Sequence, residues 1–189
     1  MVAKRLIQSK IRDEVKLEML DSLNSIGWTI TDDGNLATQD VLLSEQFFSP
    51  GTYHDAYVAI RDILAKAVSI IVVVDAYMGN SLFTTLSGLP ACAGSVQLLT
   101  TDKAIKPDFN LEASAFQKQF PHIKLEVRTT KDFHDRFIMI DGNECYHVGA
   151  SIKDAGKRAF LISRLQDTPI VDAVQRSFSA AWTAANVVI

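Results

Sequence analysis

Residues 69–75, Ser-Ile-Ile-Val-Val-Val-Asp, narrow the fold more than any other stretch of the chain. Ile70 to Val74 are all β-branched and apolar, with neither helical spacing nor the alternation of a half-exposed strand. An uninterrupted run of this kind forms a strand buried on both faces. Burial on both faces requires a layer on each side of the sheet, which in α/β proteins is helical. Asp75 ends the run, where open α/β sheets place ligands and reactive groups. The run is far too short to span a bilayer.

The flanking pattern agrees. Residues 54–68 carry an amphipathic helical stripe of Ala56, Ala59, Ile60, Ile63, Leu64 and Ala67. A helix is expected around 79–88, a strand over Val96–Thr100, a helix around 111–119 and a strand over Ile123–Arg128. Strands Arg136–Asp141 and Cys145–Val148 follow, joined by an Asp141-Gly142-Asn143-Glu144 turn. A short strand over Phe160–Ile162 and a helix over 168–185 close the chain. Helix–strand alternation followed by a hairpin predicts an α/β fold, a layered α/β/α sandwich with a mixed central sheet.

Residues 1–50 read as an appendage to a main domain over 51–189. Ile11, Val15, Met19, Leu20, Leu23 and Ile26 give one buried stripe on a helix over 10–26, which Gly27 ends. Trp28–Thr31 is a short strand and Asp32–Asn35 a turn. This helix and hairpin form either a winged-helix-like module or a cap. No helix rich in Arg, Lys, Asn or Gln accompanies them, so packing is favoured over DNA reading. Phe47 to Gly51 reads as the connector.

Composition sets broad limits. With 48% hydrophobic and 22% charged residues among 189, the chain can bury a sizeable core without staples. Cys92 and Cys145 have no metal-ligand spacing and read as buried thiols of a reducing cytosol. The basic start leads into charged helix and not into the apolar stretch of a signal peptide, so a cytoplasmic location is expected. The net charge of −3 argues against a generic nucleic-acid coat. Residues 121–164 nevertheless carry eight basic against six acidic side chains. That excess is either scatter on a solvated surface or an anion-attracting face.

Chemistry is concentrated in that same stretch. His134 and Arg136 are two residues apart at the start of an apolar strand, so both side chains are expected on one side. An imidazole serves as nucleophile, base or acid near neutral pH, and a guanidinium grips phosphate oxygens bidentately. The second strand ends in Gly149-Ala150-Ser151-Ile152-Lys153, a loop able to turn backbone N–H groups toward an anion. Together these point to a phosphoryl group. Nothing in the sequence calls for a metal or other cofactor.

His134-X-Arg136-X4-Asp141 followed by Gly149-Ala150-Ser151 resembles the phospholipase D superfamily motif, His-X-Lys-X4-Asp with a downstream Gly-Ser-X-Asn. The strand end Ile71 to Tyr77 is similar to the first strand of single-motif relatives, and the resemblance covers roughly residues 52–187. It implies a phosphodiesterase, nuclease-like, in which two motif copies share one site. One histidine attacks phosphorus while the other protonates the leaving oxygen. With a single copy here, that site requires a homodimer joining His134 and Arg136 of both protomers, acting on a phosphodiester or other anionic ligand such as nucleic acid. Arg136 replaces the family lysine, the serine is displaced and the asparagine is absent. These departures imply an alternative: a catalytically inactive phosphate- or partner-binding module. Short bacterial and phage-associated proteins, with a defence setting among the readings, share the His-Asp-Arg form.

Each residue carries a structural reading beside its functional one. His134 is a catalytic group or a satisfied structural histidine. Arg136 holds phosphate or pairs with Asp132 or Asp135 on the surface. Asp75 orients His134 or caps the following helix, and Tyr77 lines the same mouth. Ser151 and Lys153 bind phosphate, or they are a helix N-cap and a solvated lysine. Asp141, beside Gly142, is assigned structure before chemistry, and His147 reads as a core histidine.

Overall fold

A computed structural model of the protein describes residues 15–23, 28–30, 34–38, 45–88 and 94–189. The chain divides into two units, Met1–Glu45 and Gln46–Ile189. In the first, residues 15–23 are helical. Strands β1 (Trp28–Ile30) and β2 (Leu36–Thr38) pair antiparallel, with Trp28 opposite Thr38. The remainder of the helix expected over 10–26, with Gly27, Thr31 and the first turn residues, lies outside the described residues, as does Cys92.

The second unit is built on a mixed sheet. Its strands are β3 (Glu45–Phe48), β4 (Ile70–Val74), β5 (Ser95–Thr100), β6 (Lys124–Thr129), β7 (Arg136–Ile140), β8 (Glu144–Val148), β9 (Phe160–Leu165) and β10 (Asn186–Val187). Their spatial order is β10-β6-β5-β4-β7-β8-β9-β3. Strands β4, β5 and β6 run parallel, while β7, β8 and β9 join β4 as an antiparallel meander.

The β-branched run is the middle of this sheet. Ile71 and Val73 face one core with Leu98, Val127, Ile138 and Ile140. Val72 and Val74 face a second core with Leu99, Met139, Phe178 and Ala181. Three helices, α1 (Tyr53–Leu64), α2 (Ser81–Leu86) and α3 (Pro107–Gln119), supply buried side chains to the first core. The fourth, α4 (Thr168–Ala184), supplies Phe178 and Ala181 to the second. Each fully buried aliphatic side chain contributes roughly 1.5–3 kcal/mol, so a strand buried on both faces is stabilised twice over. The fold is therefore the expected α/β/α sandwich. No helix among the described residues is long and apolar enough to cross a membrane.

Several boundaries differ from expectation, for local reasons. Helix α3 begins at Pro107, a residue whose missing N–H suits the first turn. Of the stretch read as a connector, Phe47 and Phe48 belong to an edge strand and 49–51 lead into α1: Phe48 is buried and stacks on Phe160, ring centroids 4.7 Å apart. Asn186–Val187, just past the closing helix and not anticipated as a strand, pairs with β6 at the opposite edge. Edge strands this short carry little periodic signal.

Asp141 adopts φ 52°, a left-handed conformation that Asp tolerates better than most residues. Its carboxylate reaches across the sheet and accepts from the N–H groups of Ile70, Val68 and Ser69, each at 2.8 Å. These donors hold its pKa well below the ordinary aspartate range, at about 2, with the Ile70 N–H contributing most. A depressed carboxylate contributes stability that is present above its unfolded pKa and is lost as pH falls through the folded value. Asp141→Ala is expected to cost about 1–2 kcal/mol at neutral pH, allowing for solvent screening. In urea unfolding, the gap between variant and parent should shrink as pH is lowered from 5 toward about 2.

Candidate anion-binding site

The site follows from topology. The end of β4, the start of antiparallel β7 and the end of β8 lie at one end of the sheet, since Val74 pairs with Phe137 and Arg136 with Val148. Asp75, Arg136 and the loop 149–154 are thereby brought together from distant parts of the chain.

Asp75 is completely buried. Its Oδ1 accepts from the Tyr77 N–H at 2.9 Å, and its Oδ2 accepts from Ser151 Oγ at 2.8 Å and the Ile152 N–H at 2.9 Å. The Arg136 Nε lies 3.9 Å from Oδ1 as an ion-pair partner. A buried carboxylate is costly unless paired and hydrogen-bonded, and these contacts satisfy both needs. The turn is locked from its other side as well. Thr100 and Thr101 hydroxyls donate to the carbonyls of Asp75 and Ala76, both at 2.7 Å. Sequence reasoning missed these threonines, because nothing but the parallel pairing of β4 with β5 sets them beside the turn.

Glycines make the loop possible. A Cβ on Gly149 would lie 3.1 Å from the Leu161 carbonyl oxygen, so the residue lets β8 end hard against β9. Gly156, at φ 80°, packs where a Cβ would fall 2.6 Å from the Tyr53 Cα. Its carbonyl accepts from the Gly51 N–H at 2.8 Å, which fastens the basic loop to the entry of α1.

A cleft of about 400 Å³ opens above this floor, lined by Tyr77, Arg136, Ser151, Lys153, Lys157 and Arg158 among others. Asp154 is the single acidic residue along it. The Arg136 Nε is buried with no hydrogen-bond partner among the described residues. The guanidinium carbon lies 5.9 Å from the Tyr77 ring centroid, and the Lys153 amine 6.0 Å from it. Tyr77 is 55% exposed, so its ring carries a cation and remains open to solvent.

The structure places the remaining expected residues as follows. Strand β7 begins at Arg136, so His134 belongs to the preceding loop and two-residue periodicity does not carry its side chain to the side of Arg136. That side chain is 98% exposed, meets Asp135 at 3.4 Å and does not line the cleft. Asp75 bonds to the 149–152 loop and the Tyr77 N–H and makes no contact with His134. Ser151 caps nothing through its side chain; its hydroxyl is committed to Asp75 and the Tyr77 carbonyl. Arg136 pairs with Asp75, not with Asp132 or Asp135. Asp141 sits at the opposite end of β7. His147 is half-buried and its ring lies 5.7 Å from that of Phe137. Cys145 is buried, and burial pushes its thiol up to about 11.

Comparison with solved structures assigns the fold. Nuc from Salmonella typhimurium, a phospholipase D family member, superposes with a TM-score of 0.56 at 15% identity, over 77% of this chain and 97% of that one. NucT from Helicobacter pylori gives 0.54 at 11% identity, over 76% and 98%. TrmBL2, an archaeal chromatin protein whose structure shows a mode of DNA binding, gives 0.52 at 13% identity over 98% of this chain. The chain spans about two thirds (66%) of that archaeal protein. No family model and no curated protein matches the sequence. The chain has the phospholipase D-like fold.

Removing the buried carboxylate should expose how much depends on it. Asp75→Ala leaves the Ile152 and Tyr77 N–H groups unsatisfied and the Arg136 charge unpaired, at an expected cost of about 3–5 kcal/mol. Asp75→Asn keeps the shape and one acceptor and should cost clearly less. Equal chemical-denaturation midpoints for the two variants would contradict this account.

Proposed function

We propose that this phospholipase D-like domain recognises a phosphoryl group, that of a phosphodiester or a related anion, in the cleft above Asp75. The observation that carries the reading is Arg136: its Nε is buried with no hydrogen-bond partner among the described residues, and its guanidinium lies in a cleft with three further cations and one acid. Asp75 orients the guanidinium from below, leaving its outer N–H groups for ligand oxygens. Lys153 approaches from the 149–154 loop and adds a point charge.

Isothermal titration with inorganic phosphate and with a simple phosphodiester tests this. Arg136→Ala is expected to weaken both at least tenfold, whereas His134→Ala, lying outside the cleft, should bind as the parent does. Undiminished binding by the arginine variant refutes the reading.

A second reading is favoured by His134 itself. Its ring is almost fully exposed two residues before Arg136, with Asp135 as its one partner among the described residues. In a two-fold homodimer apposing these loops, one histidine attacks phosphorus and the partner's histidine protonates the leaving oxygen. Water then hydrolyses the phosphohistidine, with no metal required. On this reading the parent protein is a dimer by light scattering and turns over phosphodiesters with chelator present. His134→Ala then lowers the rate by about 10²-fold or more. A monomer, or equal rates in parent and variant, removes it and leaves the binding module.

A further inference from the structure

A second basic cleft adjoins the first. It has a volume of about 210 Å³ and is lined by Lys103, Lys106, Lys153, Tyr77 and Asn80, with Asp108 the one acidic residue of the lining. Lys103 lies in the 3-10 turn Asp102–Ala104 that follows β5, and Lys106 immediately precedes α3. None of the three lysines forms an ion pair among the described residues. The two clefts share two residues, Tyr77 and Lys153.

The shared lysine is held in place by a missing side chain. A Cβ on Gly79 would lie 3.0 Å from the Lys153 Cβ and 3.2 Å from its Cδ. The aliphatic stem therefore lies across bare backbone and leaves the amine by the Tyr77 ring, at the junction of the clefts. An exposed aromatic ring shared by two cationic clefts suits a ligand that alternates planar groups with phosphates. A single inorganic anion would leave the ring and the far lysines unused. A headgroup with clustered phosphates has no planar group to lay on it.

We propose that Lys103, Lys106 and Lys153 form a second phosphoryl subsite, and that the joined clefts bind a single nucleic-acid strand with a base stacked on Tyr77. The proposal rests on the phosphoryl reading of the Arg136 cleft and deepens it. One phosphate sits at Arg136, the next at the lysines, and the base between them lies on the ring.

The test compares a short fluorescently labelled oligothymidylate with thymidine 5′-monophosphate, by anisotropy and by competition. Lys103→Ala/Lys106→Ala is expected to cut the oligonucleotide's affinity advantage over the mononucleotide at least tenfold. It should also reduce the slope of log affinity against log salt by roughly 1–2. Tyr77→Ala should weaken oligonucleotide binding about 5- to 100-fold, and Tyr77→Phe should restore it, because stacking needs the ring and not the hydroxyl. Gly79→Ala, which displaces the Lys153 stem, should reproduce part of the lysine effect. An undiminished affinity advantage in the double lysine variant overturns the subsite. Tripolyphosphate competing as well as the oligonucleotide, with Tyr77→Ala unchanged, overturns the nucleic-acid assignment in favour of a simple polyanion. Arg136→Ala binding the mononucleotide as tightly as the parent refutes the phosphoryl reading and this inference with it, a result distinct from failure at the lysines alone.

Discussion

The buried Asp75 carboxylate is the constraint around which the cleft end of the central sheet is arranged. A carboxylate removed from water needs donors, and here they come from its own turn and from the loop after β8, 76 and 77 residues further along the chain. Meeting that need closes the 149–154 loop over the end of β4. The same carboxylate supplies the counter-charge for Arg136. It thus makes a partly buried guanidinium tolerable while leaving most of its donors unspent. The cationic cleft at this sheet end is a by-product of how a buried negative charge is compensated.

Asp141 does similar work at the other end of the same strands. Its three backbone bonds fasten the β7–β8 turn to the entry of β4, so β7 is anchored at both ends by carboxylates. One of these is exposed enough to titrate as a stabiliser; the other is buried and sets the site. Between them, the double core of the central strands supplies the rigidity that holds a cleft of surface lysines in shape. Gly79, Gly149 and Gly156 contribute by absence, each letting backbone or an alkyl stem approach where a Cβ would intrude.

A good part of this was legible in the residues. Ile70 to Val74 announced a doubly buried strand, because five consecutive β-branched apolar residues favour a strand buried on both faces over a helix. The Asp141-Gly142 pair announced the turn, and Arg136 with Lys153 announced a cationic mouth. What escaped was whatever depended on contacts between distant segments: the threonines locking the Asp75 turn, the lysines of the β5–α3 connection, and the two edge strands. His134 shows the limit of periodicity most clearly. Two-residue spacing aligns side chains within a strand, and β7 begins only at Arg136.

The sequence by itself determined the layered α/β architecture and the presence of an arginine at the start of an apolar strand, since both follow from residue chemistry read over short windows. Only the tertiary structure decided what that arginine faces. Antiparallel insertion of β7 beside β4 put Arg136 over Asp75 and left His134 in solvent. The return of β8 brought Ser151 and Lys153 to the same end. A buried charge selects its partners by proximity in space, and proximity in space is what a linear sequence does not record.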